Sequence, residues 1–226
     1  MPGTQEGENS VRVWDLPTRV FHWLLAVCVI GSISTAKIGG NAMEWHFRFG
    51  YVIFTLLAFR LLWGFVGGHW SRFASFVRWP GTTWRYLRGD HRPGEWLDIG
   101  HSPLGAWSVL AMLAFLVAQV STGLFADDEI AHSGPLAKYV STATSLKLTA
   151  YHKTIGQWVL ITLFALHVIA IIVYYRRGRD LVRPMISGDK LLPPGAPAAV
   201  DNLRTRMLAA VLALACGAGV AWLVSG

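Results

Sequence analysis

Cysteine is scarce in this 226-residue chain: there are two, Cys28 and Cys216, and both fall in apolar stretches. No C-x-x-C-H occurs, so neither a disulfide framework nor a covalently attached c-type haem is expected. Charge is scarce as well, at 15% of residues against 53% hydrophobic, which excludes an ordinary soluble composition. The opening MPGTQEGENS lacks the basic n-region and apolar core of a secretory signal. Residues 1–11 therefore read as a disordered tail before an uncleaved first span. Acidic side chains are almost missing from the apolar stretches, which leaves a mid-membrane proton relay without its usual carriers.

What the chain does have is span-length apolar sequence. A membrane helix needs about 20 mostly apolar residues. Stretches at roughly 19–37, 47–66, 104–125, 153–175 and 206–225 meet or approach that length. The expected fold is an all-α integral membrane protein, with one membrane domain over residues 12–190. Residues 191–226 add a Pro-rich linker, LLPPGAPAA, and a fifth span.

The net charge of +7 is unevenly placed. Arg12 and Arg19 precede span one. Arg72, Arg78, Arg85, Arg88 and Arg92 separate spans two and three. Arg176, Arg177, Arg179, Arg183, Lys190, Arg204 and Arg206 separate spans four and five. Alternating spans bring all of these to one side, opposite Asp127–Glu129. The positive-inside rule then makes that side cytoplasmic, so the N-terminus lies inside and the C-terminus outside, in a bacterial inner membrane. Lipid headgroups satisfy the arginines, and no nucleic-acid partner is needed. Between spans two and three, PGTTWRYLRGD reads as a short surface helix from Pro80 to near Gly89. In span five, Ala209, Ala213 and Gly217 form a small-residue face, for docking or simple anchoring.

Five histidines lie at or inside these stretches: His22, His46, His101, His152 and His167. An ionisable group at membrane depth points to function. His46, His101 and His152 have Gly50, Gly105 and Gly156 one turn on, while His22 has Ala26. A flat cofactor could lie on such bare faces, although glycine there also serves plain helix packing. Sorting by depth pairs His46 with His152 near the outer face and His22 with His167 near the inner one. His152 and His167 are separated by about 22 Å of helix. Zinc would want four ligands, often thiolates, and the facing histidines suit a haem iron better. Interfacial histidines are the plainer alternative. His101 lies near the inner pair and could replace a ligand, cap a helix, or contact a quinone or a haem propionate. Arg19, Arg60 and Lys153 sit near the propionate depths.

The motifs RVFHWL, EWHFRFGYVIFTLLAFRLLWGFVGGHWSRF, IGHSPLGA, YHKTIGQWVLITLFALHV and MISGDK resemble the prokaryotic cytochrome b561 family. Within it, the b-type cytochrome subunits of nickel–iron hydrogenases are close. The resemblance covers roughly residues 12–190. It implies a four-helix bundle holding two non-covalent b haems, with His22, His46, His152 and His167 as axial ligands and His101 outside the ligand set. The implied function is transmembrane electron transfer between the quinone pool and a periplasmic c-type cytochrome or a dehydrogenase or hydrogenase subunit. Two alternatives accompany it: a superoxide oxidase passing electrons to quinone, with Lys138, Lys147 and Lys153 attracting the anion, and a membrane anchor for a redox complex. The chain departs from the family pattern twice. Its two span-four histidines are fifteen residues apart rather than fourteen, a rotation of about +60° instead of about −40°. A π-bulge or a shifted helix start would absorb the extra residue. It also has a fifth span.

Overall fold

A computed structural model describes residues 9–90, 92 and 95–225. The tail expected over residues 1–8 lies outside the described residues. The first helix, α1 (Leu16–Ile38), starts where Asp15 accepts the Thr18 N–H at 2.8 Å, with Pro17 in the first turn. It stops at Gly39, whose φ of +70° suits glycine. A 3₁₀ turn, Gly40–Ala42, leads straight into α2 (Met43–Val66). Two short helices follow, α3 (Phe73–Phe76) and α4 (Pro80–Leu87). The second is the surface helix expected from PGTTWRYLRGD.

Ser102 caps α5 (Pro103–Leu124), and Ser141 caps α6 (Thr142–Tyr151). The chain then widens into a π turn, His152–Gly156, and continues as α7 (Gln157–Arg176). After α8 (Val182–Ser187), the chain ends in α9 (Leu203–Ser225). Five helical segments are long and apolar enough to cross a membrane. The protein is thus a predominantly helical, multi-pass membrane protein. Its exposed apolar faces, such as Phe65, Trp158 and Leu214, are what a lipid-facing surface requires.

Two segments, residues 9–11 and the start of the fourth span, differ from the sequence expectation. Residues 9–11, expected in the tail, join Arg12 in β1 (Asn9–Arg12), antiparallel to β2 (Asp189–Leu192). The linker is ordered: the Ala199 N–H donates to the Arg12 carbonyl at 2.7 Å, and Trp70 Nε1 donates to the Pro197 carbonyl at 2.8 Å. Leu192 and Ala199 pack with Val13, Trp14, Trp70 and Ile99 beneath the bundle. The fourth span starts at Thr142 rather than near 153. Its polar first turns are anchored by Ser145, whose Oγ donates to the Phe125 carbonyl at 2.6 Å, and by Thr149, which bonds the Asp127 backbone.

The core of the bundle lies between α1, α2, α5 and α9, around Phe21, Cys28, Leu57, Trp63, Leu113 and Ala209. The small-residue face of α9 docks here: Gly217 approaches Thr55, and Ala213 covers the cluster. At the arginine-rich end, fully buried Asp15 joins three segments. It receives Trp63 Nε1 at 3.3 Å, the Gly68 N–H at 3.0 Å and Ser71 Oγ at 2.8 Å. Gly68 is required there, because a Cβ would collide with the Asp15 carboxylate. Asp15→Ala strands three buried donors and removes a helix cap. It is expected to cost on the order of 3–5 kcal/mol, read as an earlier unfolding midpoint in detergent. A wild-type midpoint would contradict this role.

Candidate functional site

The helices bring the histidines together as two pairs, one toward each end of the bundle. At the end away from the arginines, the rings of His46 and His152 are 6.0 Å apart, centroid to centroid, and nearly perpendicular at 89°. Each ring is held by a carbonyl from a neighbouring helix. His46 Nδ1 donates to the Ser32 carbonyl on α1 at 2.9 Å, and His152 Nδ1 donates to the Gln119 carbonyl on α5 at 2.9 Å. A proton on Nδ1 leaves the Nε2 lone pair for a metal, the usual way an outer partner fixes a ligand's tautomer. Two imidazoles bound trans to one metal, each at about 2 Å, have centroids roughly 6 Å apart.

A cavity of about 420 Å³ runs past this pair, bounded by Ser32, Gly50, Tyr51, Gln119 and Gly123. Gly50 keeps a bare face, where a Cβ would touch nothing within 4 Å. Gly156 does not. Its bare face is covered by Gln119, so it serves the contact between α5 and the π turn rather than a cofactor face. The glycine missed by spacing arguments is Gly123, whose Cβ would come within 2.9 Å of His152 Cε1. It sits on a different helix from the ring it faces, so no i+4 pattern exposes it.

At the arginine-rich end, His22 and His167 are 6.4 Å apart with planes at 54°. His101 is buried beside them, edge-on to Trp14 at 4.8 Å and tilted against Phe76 at 4.6 Å. It lies within electrostatic reach of Arg60, His22 and His167. Arg60, only 3% exposed, lays its guanidinium over Phe73 at 4.9 Å. Arg19 donates to the Ile186 carbonyl at 2.5 Å. Among the described residues, four buried nitrogens here have no partner: Arg19 Nε, His22 Nδ1, Arg60 Nη1 and His101 Nδ1. An unmet buried donor costs about 1–3 kcal/mol, and acceptor oxygens of an anionic group would meet it. Both ends therefore fit a haem: paired imidazoles for the iron, and at this end a set of donors for its carboxylates.

His132 escaped the sequence reading because it lies in a turn between spans, outside any helical period. It stacks on Phe47 at 6.1 Å and lines the far cavity. Its Nδ1 is 3.4 Å from Asp128. Gln119 and Ser32 were missed because they act across helices, Ser32 through its backbone carbonyl and Gln119 through its carbonyl and its side-chain amide. No group of three or more His, Cys, Asp or Glu suited to a metal ion occurs among the described residues. Paired histidines, rather than a self-contained cage, are what the bundle offers.

A multi-pass helical bundle with two facing-histidine sites defines a membrane cytochrome of the b type. The chain belongs to the prokaryotic cytochrome b561 family, whose model matches residues 13–188. Haem b is the cofactor that membership implies, and membrane electron transfer is the function. A probable Ni/Fe-hydrogenase 1 B-type cytochrome subunit of Escherichia coli is 24% identical over 192 residues, covering 69% of this chain and 80% of its own length. A probable Ni/Fe-hydrogenase B-type cytochrome subunit of Rhizobium leguminosarum bv. viciae is 24% identical over 217 residues, covering 81% and 90%. The Azotobacter vinelandii protein of the same name is 31% identical over 148 residues, covering 50% and 59%. No solved structure matches the chain.

The loop over the far cavity carries a pH dependence. The N–H groups of His132, Ala131 and Ile130 donate to Asp128 Oδ1 and hold its carboxyl well below the usual carboxylate range. Folding thus lowers this carboxyl's pKa, so the folded loop binds fewer protons and its stability rises with pH. The contribution is complete above about pH 5 and is lost as pH falls through and below about 4. The thermal midpoint in detergent is expected to fall over that acid range, and less steeply in Asp128→Asn. Equal slopes for the two proteins would remove the assignment.

Proposed function

We propose that His46 with His152, and His22 with His167, are the axial ligand pairs of two non-covalent haem b groups stacked across one bilayer. The observation that carries this is the pair of ring separations, 6.0 and 6.4 Å, recurring toward opposite ends of the fourth span, once against α2 and once against α1. Bound there, haem iron supplies one-electron chemistry, tuned by its axial ligands and surroundings. The chain does the rest. The Ser32 and Gln119 carbonyls orient the far imidazoles, and Gly50 leaves a face bare. Arg60, Arg19 and His101 offer donors to propionate oxygens at the near end. Apolar spans exclude water.

The arginine-rich end is cytoplasmic in this reading, by the positive-inside rule. The far pair then faces the periplasm, where a hydrogenase or dehydrogenase subunit, or a c-type cytochrome, exchanges electrons with it. A hydrogenase subunit is the best supported of these, because the similar proteins are named as its B-type cytochrome partners. Quinone exchanges electrons with the near pair. The superoxide alternative draws no separate support: Lys153 and Lys37 line the far cavity, and Asp128 shares that wall.

Purified protein is expected to hold two haems per chain by pyridine haemochromogen assay. His46→Ala and His152→Ala should each remove the far haem and keep the near one. His22→Ala and His167→Ala should do the reverse, while His101→Ala keeps both. Gly50→Leu, whose Cβ meets nothing within 4 Å, should lower far-haem content by filling its face. Haem loss in His101→Ala, with retention in His22→Ala, would sink the near assignment.

A further inference from the structure

We propose that Gln119 is the positioning residue that sets the register of His152, by holding open the π turn on which that histidine sits. The inference rests on the reading of His152 as a haem ligand and adds how a fifteen-residue spacing is made to work.

A π turn inserts one residue into an α-helix and widens the backbone ring. Fifteen residues that include one such turn rotate like fourteen in a plain helix, about −40° rather than about +60°. His152 and His167 then share one stripe of the fourth span, and each meets its partner on α2 or α1. The π turn, His152–Gly156, lies between the two histidines, where it can correct the spacing.

A widened turn needs an outside partner, and one α5 residue contacts it at three points. Gln119 Nε2 donates to the His152 carbonyl at 3.0 Å. The Gln119 carbonyl accepts from His152 Nδ1 at 2.9 Å. The Gln119 Oε1 lies over Gly156, where any Cβ would overlap it. The amide orientation follows from its partner, because the His152 carbonyl can only accept and, of the two amide atoms, only Nε2 can donate. Oε1 is buried with no partner among the described residues, so the side chain is held by its N–H and by the shape of the glycine face. The backbone carbonyl of residue 119 would accept the ring whatever its side chain, but a side chain that merely filled the helix interface would not need an amide aimed at the His152 carbonyl.

The test uses full-length, haem-loaded protein in detergent and three variants: Gln119→Leu, a deletion of Thr154, and both together. Deleting Thr154 restores fourteen-residue spacing and turns the π turn into plain α-helix, so Gln119 is no longer needed. The readouts are haem-to-protein ratio and the low-temperature EPR spectrum, whose low-spin signal depends on the angle between the two axial imidazole planes. The expected result for Gln119→Leu is a shifted or lost far-haem signal, with the ratio falling from two toward one and the near-haem signal intact. The Thr154 deletion alone should keep both haems, and added to Gln119→Leu it should return the ratio to two. A wild-type far signal in Gln119→Leu overturns the proposal. If Gln119→Leu loses both haems, the double variant decides: recovery supports the proposal and continued loss overturns it. The ligand reading fails separately, if His152→Ala keeps both haems.

Discussion

A single carboxylate, Asp15, fixes the depth at which the near histidine pair sits. A buried charge is costly unless its oxygens are satisfied. Asp15 meets that cost by capping α1, receiving the indole of Trp63 near the end of α2, and binding Gly68 and Ser71 in the turn that follows. Three segments are thereby tied at one point. His22 is two turns further along α1, and Arg60, one turn before Trp63, feels the same carboxylate. The network therefore fixes the ligand candidate and the buried guanidinium together. Ser71 also meets Thr18 at 2.6 Å, so the first turn of α1 has a second tie to the loop.

The two ends of the bundle solve different problems. At the far end the imidazoles are already oriented by backbone carbonyls, and an open cavity runs beside them. At the near end His22 Nδ1, His101 Nδ1 and Arg60 Nη1 are buried with no partner among the described residues. A cofactor at the far end would be selected by shape and ligand tautomer, and one at the near end by its acceptors as well. Hydrogen bonds to the outer imidazole nitrogen raise ligand basicity, whereas cationic donors stabilise added negative charge. Two groups of identical chemistry bound at these sites would thus sit in unequal settings.

The spans and the histidine pairing were legible in the sequence because hydropathy sets spans and arginine placement sets depth. Both are sums over many residues, so single errors cancel. The misses have local causes. β1 and β2 are four residues each, with Asp189, Lys190 and Asn9 in place of an apolar pattern, and their pairing spans 177 or more residues of sequence. The α6 stretch TATSLKLTA reads as polar loop, yet Ser145 and Thr149, one turn apart, are buried. Gly156 misled because bare faces pack helices as readily as they admit ligands. Gly123, Ser32 and Gln119 act across helices, where no one-dimensional spacing points.

The fifth helix extends beyond the family match, which ends at residue 188, yet it is keyed to the same scaffold. Asp201, just before α9, has a side chain only 3% exposed and lies against Arg206, Arg12 and Arg19. Arg206 belongs to α9, Arg12 to β1, and Arg19 to α1 one turn before His22. The small face of α9 then runs along α2, with Ala209 inside the core beside Leu57. A membrane tether appended for anchoring alone would need neither the buried carboxylate nor the close-packed stripe. Both tie α9 to the helices that carry His22 and His46, so the added helix braces the helix pair opposite α7. That brace matters because α7 has no buried residue of its own, and the fourth span meets α2 at His152, in the π turn, and α1 at His167, on α7.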